Sequence, residues 1–283
     1  MPIVAITREM GSLGKDVAAG IGEALGIPVL YHEVIDHLAD RMRVRKSHVI
    51  RLLDGGAGLL ERLTADRTSL HLYSADEIIA SAMQGRGAVI RGWGATHLLR
   101  EVAHVVGVRV CAPFEVRRER MMERLETDDG DSVADEIRIN DEAHGAIMRR
   151  HFGVHWGDAE HYDVVLNTKR VGVAHCVDEV LSLVRSPKFA ETADSRRQME
   201  DLSLAARVRA ALRRAAETRN LKLSVRARRG CVTLVAVSGG TAGLLVAVEV
   251  ATAVQGVRDI EYRVHAADAN GASAPGDAPR RLH

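Results

Sequence analysis

Gly11-Ser12-Leu13-Gly14-Lys15-Asp16 is the stretch whose residue types and spacing suit chemistry. An apolar run, Ile3-Val4-Ala5-Ile6, precedes it, and a helical pattern with Val17, Ile21 and Leu25 on one face follows. A glycine-bearing turn between strand and helix can cradle a phosphate. Glycines let backbone N–H groups approach the oxygens, and the helix N-terminus adds partial positive charge. Lys15 would bring a full charge to the outer phosphates. Two positions depart from the full phosphate-loop pattern. Glu9 stands where its first glycine belongs. Asp16 replaces the Ser or Thr that would hold magnesium, which makes Asp16 the candidate metal ligand. The alternative is a tight strand-to-helix turn with a helix-start Asp.

The elements that must position this loop alternate along the chain. Gly26 and Pro28 stop the first helix, and Pro28 to Tyr31 reads as a short strand. Helical stripes are expected over Glu33 to Arg43, in two pieces between Lys46 and Leu63, and over Ala75 to Met83. Ala88-Val89-Ile90 and Val105 to Cys111 are buried-type strands. Phe114 to Leu125 is a helix carrying Arg117, Arg118, Arg120 and Arg124, and Thr127 to Ser132 a loop. Val133 to Phe152 is a helix with Arg138, Arg149 and Arg150. Tyr162 to Leu166 is a last strand, and Val173 to Val184 a last helix. Strands alternating with helices predict a parallel sheet covered on both faces, an α/β domain over 1–185.

Composition changes near Ser186, so 186–202 reads as a linker or an exposed helix. A second unit is predicted over 203–265: a helix from Leu204, a hairpin turning at Arg229-Gly230, an apolar helix over Thr241 to Val254, and a strand through Ile260, Tyr262 and Val264. That α-β-β-α-β order is an α+β unit of about the smallest size that folds alone. The Ala/Gly/Pro/Asp-rich residues 266–283 read as a disordered tail.

Bulk composition narrows the function. A net charge of +1 argues against nucleic-acid wrapping. Cys111, Cys176 and Cys231 are too scattered for a zinc module and fit a reducing compartment. No stretch has the length of a membrane span, and Arg8 and Glu9 arrive too early for a leader, so a cytoplasmic location is expected.

The first domain resembles the cytidylate kinase-like family of P-loop kinases. The resemblance rests on Thr7 to Lys15, on Gly26-Ile27-Pro28 with Glu33-Val34-Ile35, on Val89-Ile90-Arg91-Gly92-Trp93-Gly94-Ala95, on Ala112 to Arg117, and on Trp156-Gly157-Asp158 through Tyr162-Asp163 to Asn167-Thr168. It implies a nucleoside-monophosphate-kinase fold with a five-stranded parallel sheet, ATP and Mg2+ as cofactors, and a nucleotide such as CMP as acceptor. Carried over residue by residue, it implies that Gly11, Ser12, Leu13, Gly14, Lys15, Asp16, Asn167 and Thr168 hold ATP. Lys15, Arg117, Arg120 and Arg124 would surround the transferring phosphate. Glu33, Arg91, Trp93, Arg138 and Arg149 would meet the acceptor. For the arginines, a solvated helix face laced with Glu115, Glu119 and Glu123 is the competing reading.

This chain departs from the family's pattern on the acceptor side. Trp93 stands where Gly-Arg-Gly is usual, Tyr31 where an Asp is common, and Asn140 and Ala143 where Asp and Arg are frequent. A catalytically weak nucleotide-binding regulator is therefore the second reading. The later unit resembles a BON domain, on Leu221 to Val225, Gly230 to Leu234 and Val254 to Val257. That likeness implies an anionic lipid or small ligand at a basic side carrying Arg207, Arg209, Arg213, Arg214, Arg226, Arg228 and Arg229, or a scaffold for a partner. Assembly as a homo-oligomer is left open.

Overall fold

The computed structural model describes residues 1–31, 45, 67–83, 86–92, 94–238, 241–264 and 280–282. The helices expected over Glu33 to Arg43 and between Lys46 and Leu63 lie outside them. The chain divides into two compact units, Met1–Ser195 and Arg196–His283.

In the first unit the strands are β1 (Ile3–Arg8), β2 (Val29–Leu30), β3 (Ala88–Arg91), β4 (Val105–Cys111) and β5 (Val164–Asn167). They form one sheet in the order β2-β3-β1-β4-β5, and every pairing is parallel. β1 is central, with Ile3 opposite both Ala88 and Val105. Strands buried on both faces need continuous apolar runs rather than alternation, which is what Ile3-Val4-Ala5-Ile6 supplies. The helices are α1 (Gly14–Leu25), α2 (Arg67–Met83), α3 (Ala95–Leu98), α4 (Phe114–Leu125), α5 (Gly130–Phe152) and α6 (Val173–Arg185). Val17, Ala18 and Ile21 of α1 and Cys176, Val177 and Val180 of α6 bury against Val4, Ile6, Val106, Val108 and Val110. This α/β architecture agrees with the expectation, and α4 and β4 fall on the predicted bounds.

Helix boundaries differ where capping outweighs composition. α5 begins at Gly130, inside the segment read as a loop, because the Asp129 side chain accepts the Ser132 N–H at 3.0 Å. Gly26, at φ 64°, ends α1 and donates to the Glu23 and Gly22 carbonyls.

Residues 186–202, read as a linker, hold a 3-10 turn (Pro187–Phe189) and the start of α7 (Ala193–Arg214). Thr192 and Ser195 cap that helix reciprocally. The Ser195 N–H donates to Thr192 Oγ1 at 3.1 Å, and the Thr192 N–H to Ser195 Oγ at 2.9 Å. A polar sequence without Gly or Pro then continues as helix.

The second unit continues with β6 (Lys222–Arg228), β7 (Cys231–Ser238), α8 (Thr241–Thr252), β8 (Asp259–Val264) and β9 (Arg280–Leu282). The sheet order is β6-β7-β8-β9. β6 and β7 are an antiparallel hairpin, and β8 joins β7 in parallel after the α8 crossover. Leu204, Val208 and Leu212 of α7 pack with Leu244, Ala247 and Val248 of α8 over Val225, Val232, Leu234 and Ile260. Within the tail expected to be disordered, Arg280–Leu282 pairs antiparallel with β8. The free edge of β8 offers unpaired backbone groups to any strand within reach. The rest of that tail lies outside the described residues.

Helix α5 is held on α4 by Met121, Val133 and Ile137, with Ile137 fully buried. Ile137→Ala should cost about 2–5 kcal/mol in denaturant unfolding. A loss below about 1 kcal/mol would mean that α5 is not packed on α4 as described.

Candidate phosphate-binding site

The loop between β1 and α1 turns through two left-handed residues. Gly11 has φ 77° and Leu13, the N-cap of α1, has φ 60°. A Cβ on Gly11 would stand 2.7 Å from the Arg117 carbonyl oxygen, and one on Gly14 would stand 2.6 Å from Arg8 Cβ. Gly11 is therefore required by close backbone approach as well as by conformation, and Gly14 by the Arg8 side chain packed against it. Ser12 is fully buried and bonds back onto the loop: its hydroxyl donates to the Glu9 carbonyl at 2.7 Å. Lys15 and Asp16 are exposed in the first turn of α1, where the leading N–H groups have no helical acceptor. An anion-receptive helix start, an exposed lysine and an exposed carboxylate thus share one edge of the loop. This donor set fits a nucleotide's phosphates, with Asp16 placed to hold a magnesium ion beside them. No cluster of three or more metal-ligating side chains occurs among the described residues.

The loop is braced from beneath. Glu9 Oε1 accepts from Arg109 Nη2 at 2.6 Å, and its Oε2 accepts the Ala112 N–H at 3.1 Å and lies 3.4 Å from Arg117 Nε. Arg117, 6% exposed, donates to the carbonyls of Ala112 (3.1 Å) and Met10 (3.3 Å) and forks onto Asp141 of α5 at 3.2 and 2.9 Å. A second brace comes from β5. The Thr168 hydroxyl donates to the Ser12 carbonyl at 2.9 Å, while Arg120 donates to the Thr168 hydroxyl and carbonyl at 2.9 and 2.8 Å.

Of the expected site residues, the structure brings Gly11, Ser12, Leu13, Gly14, Lys15, Asp16, Arg117, Arg120 and Thr168 together. It commits Arg117 and Arg120 to holding the loop rather than facing a substrate. Their regular i, i+3 spacing could not reveal this, because a solvated face has the same pattern. Arg124 is exposed in the last turn of α4, where a cation complements the helix dipole. Arg138 is exposed, pairs with Asp135 at 2.9 Å and lies 5.1 Å from the Phe114 ring. Arg138, Phe114, Asp141 and Glu142 line a cleft of about 320 Å3. Arg149 is exposed and lies beside Gly145, and Asn167 bonds the Lys169 N–H. Arg91 is buried, its guanidinium 3.9 Å from the Tyr31 ring centroid. Glu33 and Trp93 lie outside the described residues. Sequence reasoning missed the parts played by Glu9, Arg109 and Asp141. The one available signal was a carboxylate at a position where the loop pattern has glycine.

The description "Cytidylate kinase-like family" matches residues 3–170, more than half the chain. The chain belongs to this family. Over 82 residues it is 34% identical to the cytidylate kinase of Methanothermobacter thermautotrophicus, covering 29% of this chain and 48% of that enzyme. The chain thus spans about half the length of this curated relative. The crystal structure of an uncharacterized protein from Eubacterium ventriosum is 20% identical and covers 66% of this chain and 99% of that one. Its TM-score of 0.52 marks a likeness of fold alone. Among the described residues, no helix is long and apolar enough to cross a membrane.

Beside Gly94, α3 places His97 against the rings of Phe152, His161 and Tyr162 at 5.4, 5.3 and 5.8 Å. Burial, with His161 and Arg100 nearby, lowers its pKa from 6.5 to about 4.

Two outcomes follow from this site. Glu9→Gln removes the charge that Arg109 and Arg117 share and should cost about 3–5 kcal/mol of stability; an unchanged melting temperature would refute the brace. A histidine whose folded pKa is depressed favours folding above its unfolded pKa, and that contribution fades as pH falls from 6.5 towards 4. Wild-type protein should therefore lose stability over that range more steeply than His97→Phe. Parallel pH profiles would show that His97 is not held neutral.

Proposed function

We propose that the chain is an ATP-dependent phosphotransferase acting on a nucleotide or a related small acceptor. The observation that carries this reading is the phosphate loop: Gly11 and Leu13 left-handed, α1 opening at Gly14, and Lys15 exposed at its start. Phosphoryl transfer asks little covalent chemistry of a protein and much positioning and positive charge. Lys15 and the first N–H groups of α1 hold the outer phosphates of ATP, and Asp16 holds Mg2+ beside them. Asp16 would hold that ion, which when bound would supply positive charge against the charge developing in transfer. Glu9, Arg117 and Arg120 keep the loop's shape. The Phe114–Arg138 cleft offers a ring and a guanidinium plane against which a planar base can stack.

A specific observation favours the second reading, a nucleotide-binding regulator with little turnover. Arg117 and Arg120 are committed to the scaffold and Arg91 is stacked on Tyr31, so among the described residues these three arginines are engaged within the protein rather than left to a substrate. For the second unit we propose a BON-like sensing module. Its α-β-β-α-β order supports this, as does its basic side.

The test is steady-state turnover with ATP and a panel of nucleoside monophosphates, alongside ATP binding. Lys15→Ala should lower turnover about 10²–10³-fold and weaken ATP binding. Its stability should stay within about 0.5 kcal/mol of wild type, since the side chain is exposed. Equal ATP binding by wild type and variant would refute the loop assignment. ATP binding without turnover of any acceptor would favour the regulator. An indole has one N–H donor and no charge for a phosphate, so CMP should be a poor acceptor that Trp93→Arg improves. Efficient CMP phosphorylation by wild type, unimproved by the arginine, would remove Trp93 from the specificity argument.

A further inference from the structure

The second unit contains a cavity of about 400 Å3 that the kinase reading does not use. Arg197, Arg207, Arg229 and Arg258 line it, with Glu200 and Asp201. Four guanidinium groups against two carboxylates leave two positive charges in excess, on a chain whose overall net charge is +1. The four arginines are not one solvated helix face. Two come from α7, one from the β6–β7 turn and one from the segment before β8. All four are exposed, and a surface cavity with an excess of positive charge raises the local concentration of anions.

Local construction also serves these side chains. Arg207 Nη1 donates to the Gln255 carbonyl at 2.9 Å, which orients its fork. A Cβ on Gly256 (φ 98°) would come within 3.4 Å of Arg207 Nη2. A Cβ on Gly230 (φ 84°) would come within 2.9 Å of Arg258 Cδ, so that arginine's stem lies along the bare turn. Arg229 itself has φ 52°, in a two-residue turn where Asn, Asp or Gly fits better. Asp201 accepts the Arg229 N–H at 2.6 Å, which ties this turn to α7.

We propose that this cavity binds a phosphate monoester. Two excess charges match its dianion, and guanidinium forks match its oxygens two at a time. Glu200 then offers an acceptor for a hydroxyl or amine on the rest of the molecule. The volume admits a ligand of nucleotide or sugar-phosphate size.

The test uses the full chain carrying Lys15→Ala, which silences the phosphate loop of the first unit. Phenyl phosphate serves as the soluble probe, by calorimetric titration. Phosphatidylcholine vesicles doped with phosphatidic acid serve as the lipid probe, by co-sedimentation. Added to this background, Arg258→Gln and, separately, Arg197→Gln should each weaken binding at least about tenfold, the loss of one charge-assisted contact. Arg207→Gln should do the same, and because that side chain also holds Gln255, its melting temperature is measured alongside. Loss confined to phenyl phosphate makes the ligand a soluble ester; the same loss on vesicles alone places the monoester on a lipid. No binding of either probe, or binding that all three variants retain, overturns the proposal. Turnover by the first unit is read separately, so a failed kinase assay leaves this result unaffected.

Discussion

The carboxylate of Glu9 is the point on which the phosphate loop rests. It closes β1 with an acceptor pair where the ordinary loop pattern has a glycine. One oxygen takes Arg109 from β4; the other takes the Ala112 N–H at the head of α4 and faces Arg117. The three partners lie on consecutive elements of the fold, so one side chain fixes the end of β1, the end of β4 and the start of α4 relative to one another. Its side chain is 13% exposed, and at that depth a lost partner leaves uncompensated charge rather than a water-solvated one. The carboxylate can be there only because Arg109 and Arg117 are.

The loop's shape follows from this. Gly11 passes so close to the Arg117 backbone that no side chain fits, and Arg117 reaches past it to the Met10 carbonyl. The other side of the loop is held by Thr168 and Arg120 through the Ser12 carbonyl. The loop is thus held in shape from both sides by its own contacts. Asp141 extends the network into α5. The helix that carries the expected lid arginines is thereby wired to the loop through a forked ion pair. A motion of α5 that pulled Asp141 away would leave Arg117 with one fewer anion, so loop and helix share a single electrostatic state.

Much of this was legible in the sequence, and the boundary of legibility has a physical cause. β4 and α4 could be placed because an apolar run meets Pro113 and then a 3.6-residue stripe begins. Lys15 and the loop glycines could be placed because strand, glycine turn and helix are contiguous. What failed depends on non-local partners. Nothing in the spacing of Arg117, Arg120 and Arg124 tells which one is buried, since burial comes from Glu9, Asp141 and Thr168, distant in sequence. The reading of 186–202 as a linker weighed polarity and missed the Thr192–Ser195 cap, a two-residue signal that sets the start of a long helix.

The donor and acceptor sides of the first unit now separate on physical grounds. The phosphate side is built of backbone, glycine and paired charge, and its pattern tolerates Glu9 because the substitution is balanced by two arginines. Where the family resemblance expects the acceptor, Tyr31 is stacked under Arg91, and His97 is kept neutral among rings. A guanidinium lying 3.9 Å from a ring centroid has that ring as the partner of one of its faces. Lys15 and Arg138 are both exposed, one at the loop and the other at the cleft beside Phe114. The same chain gathers four arginines around a cavity in its second unit, where no phosphoryl-transfer machinery is present. The proposed roles of the two units follow that distribution: nucleotide handling at the braced loop in one, and anion recognition in the other.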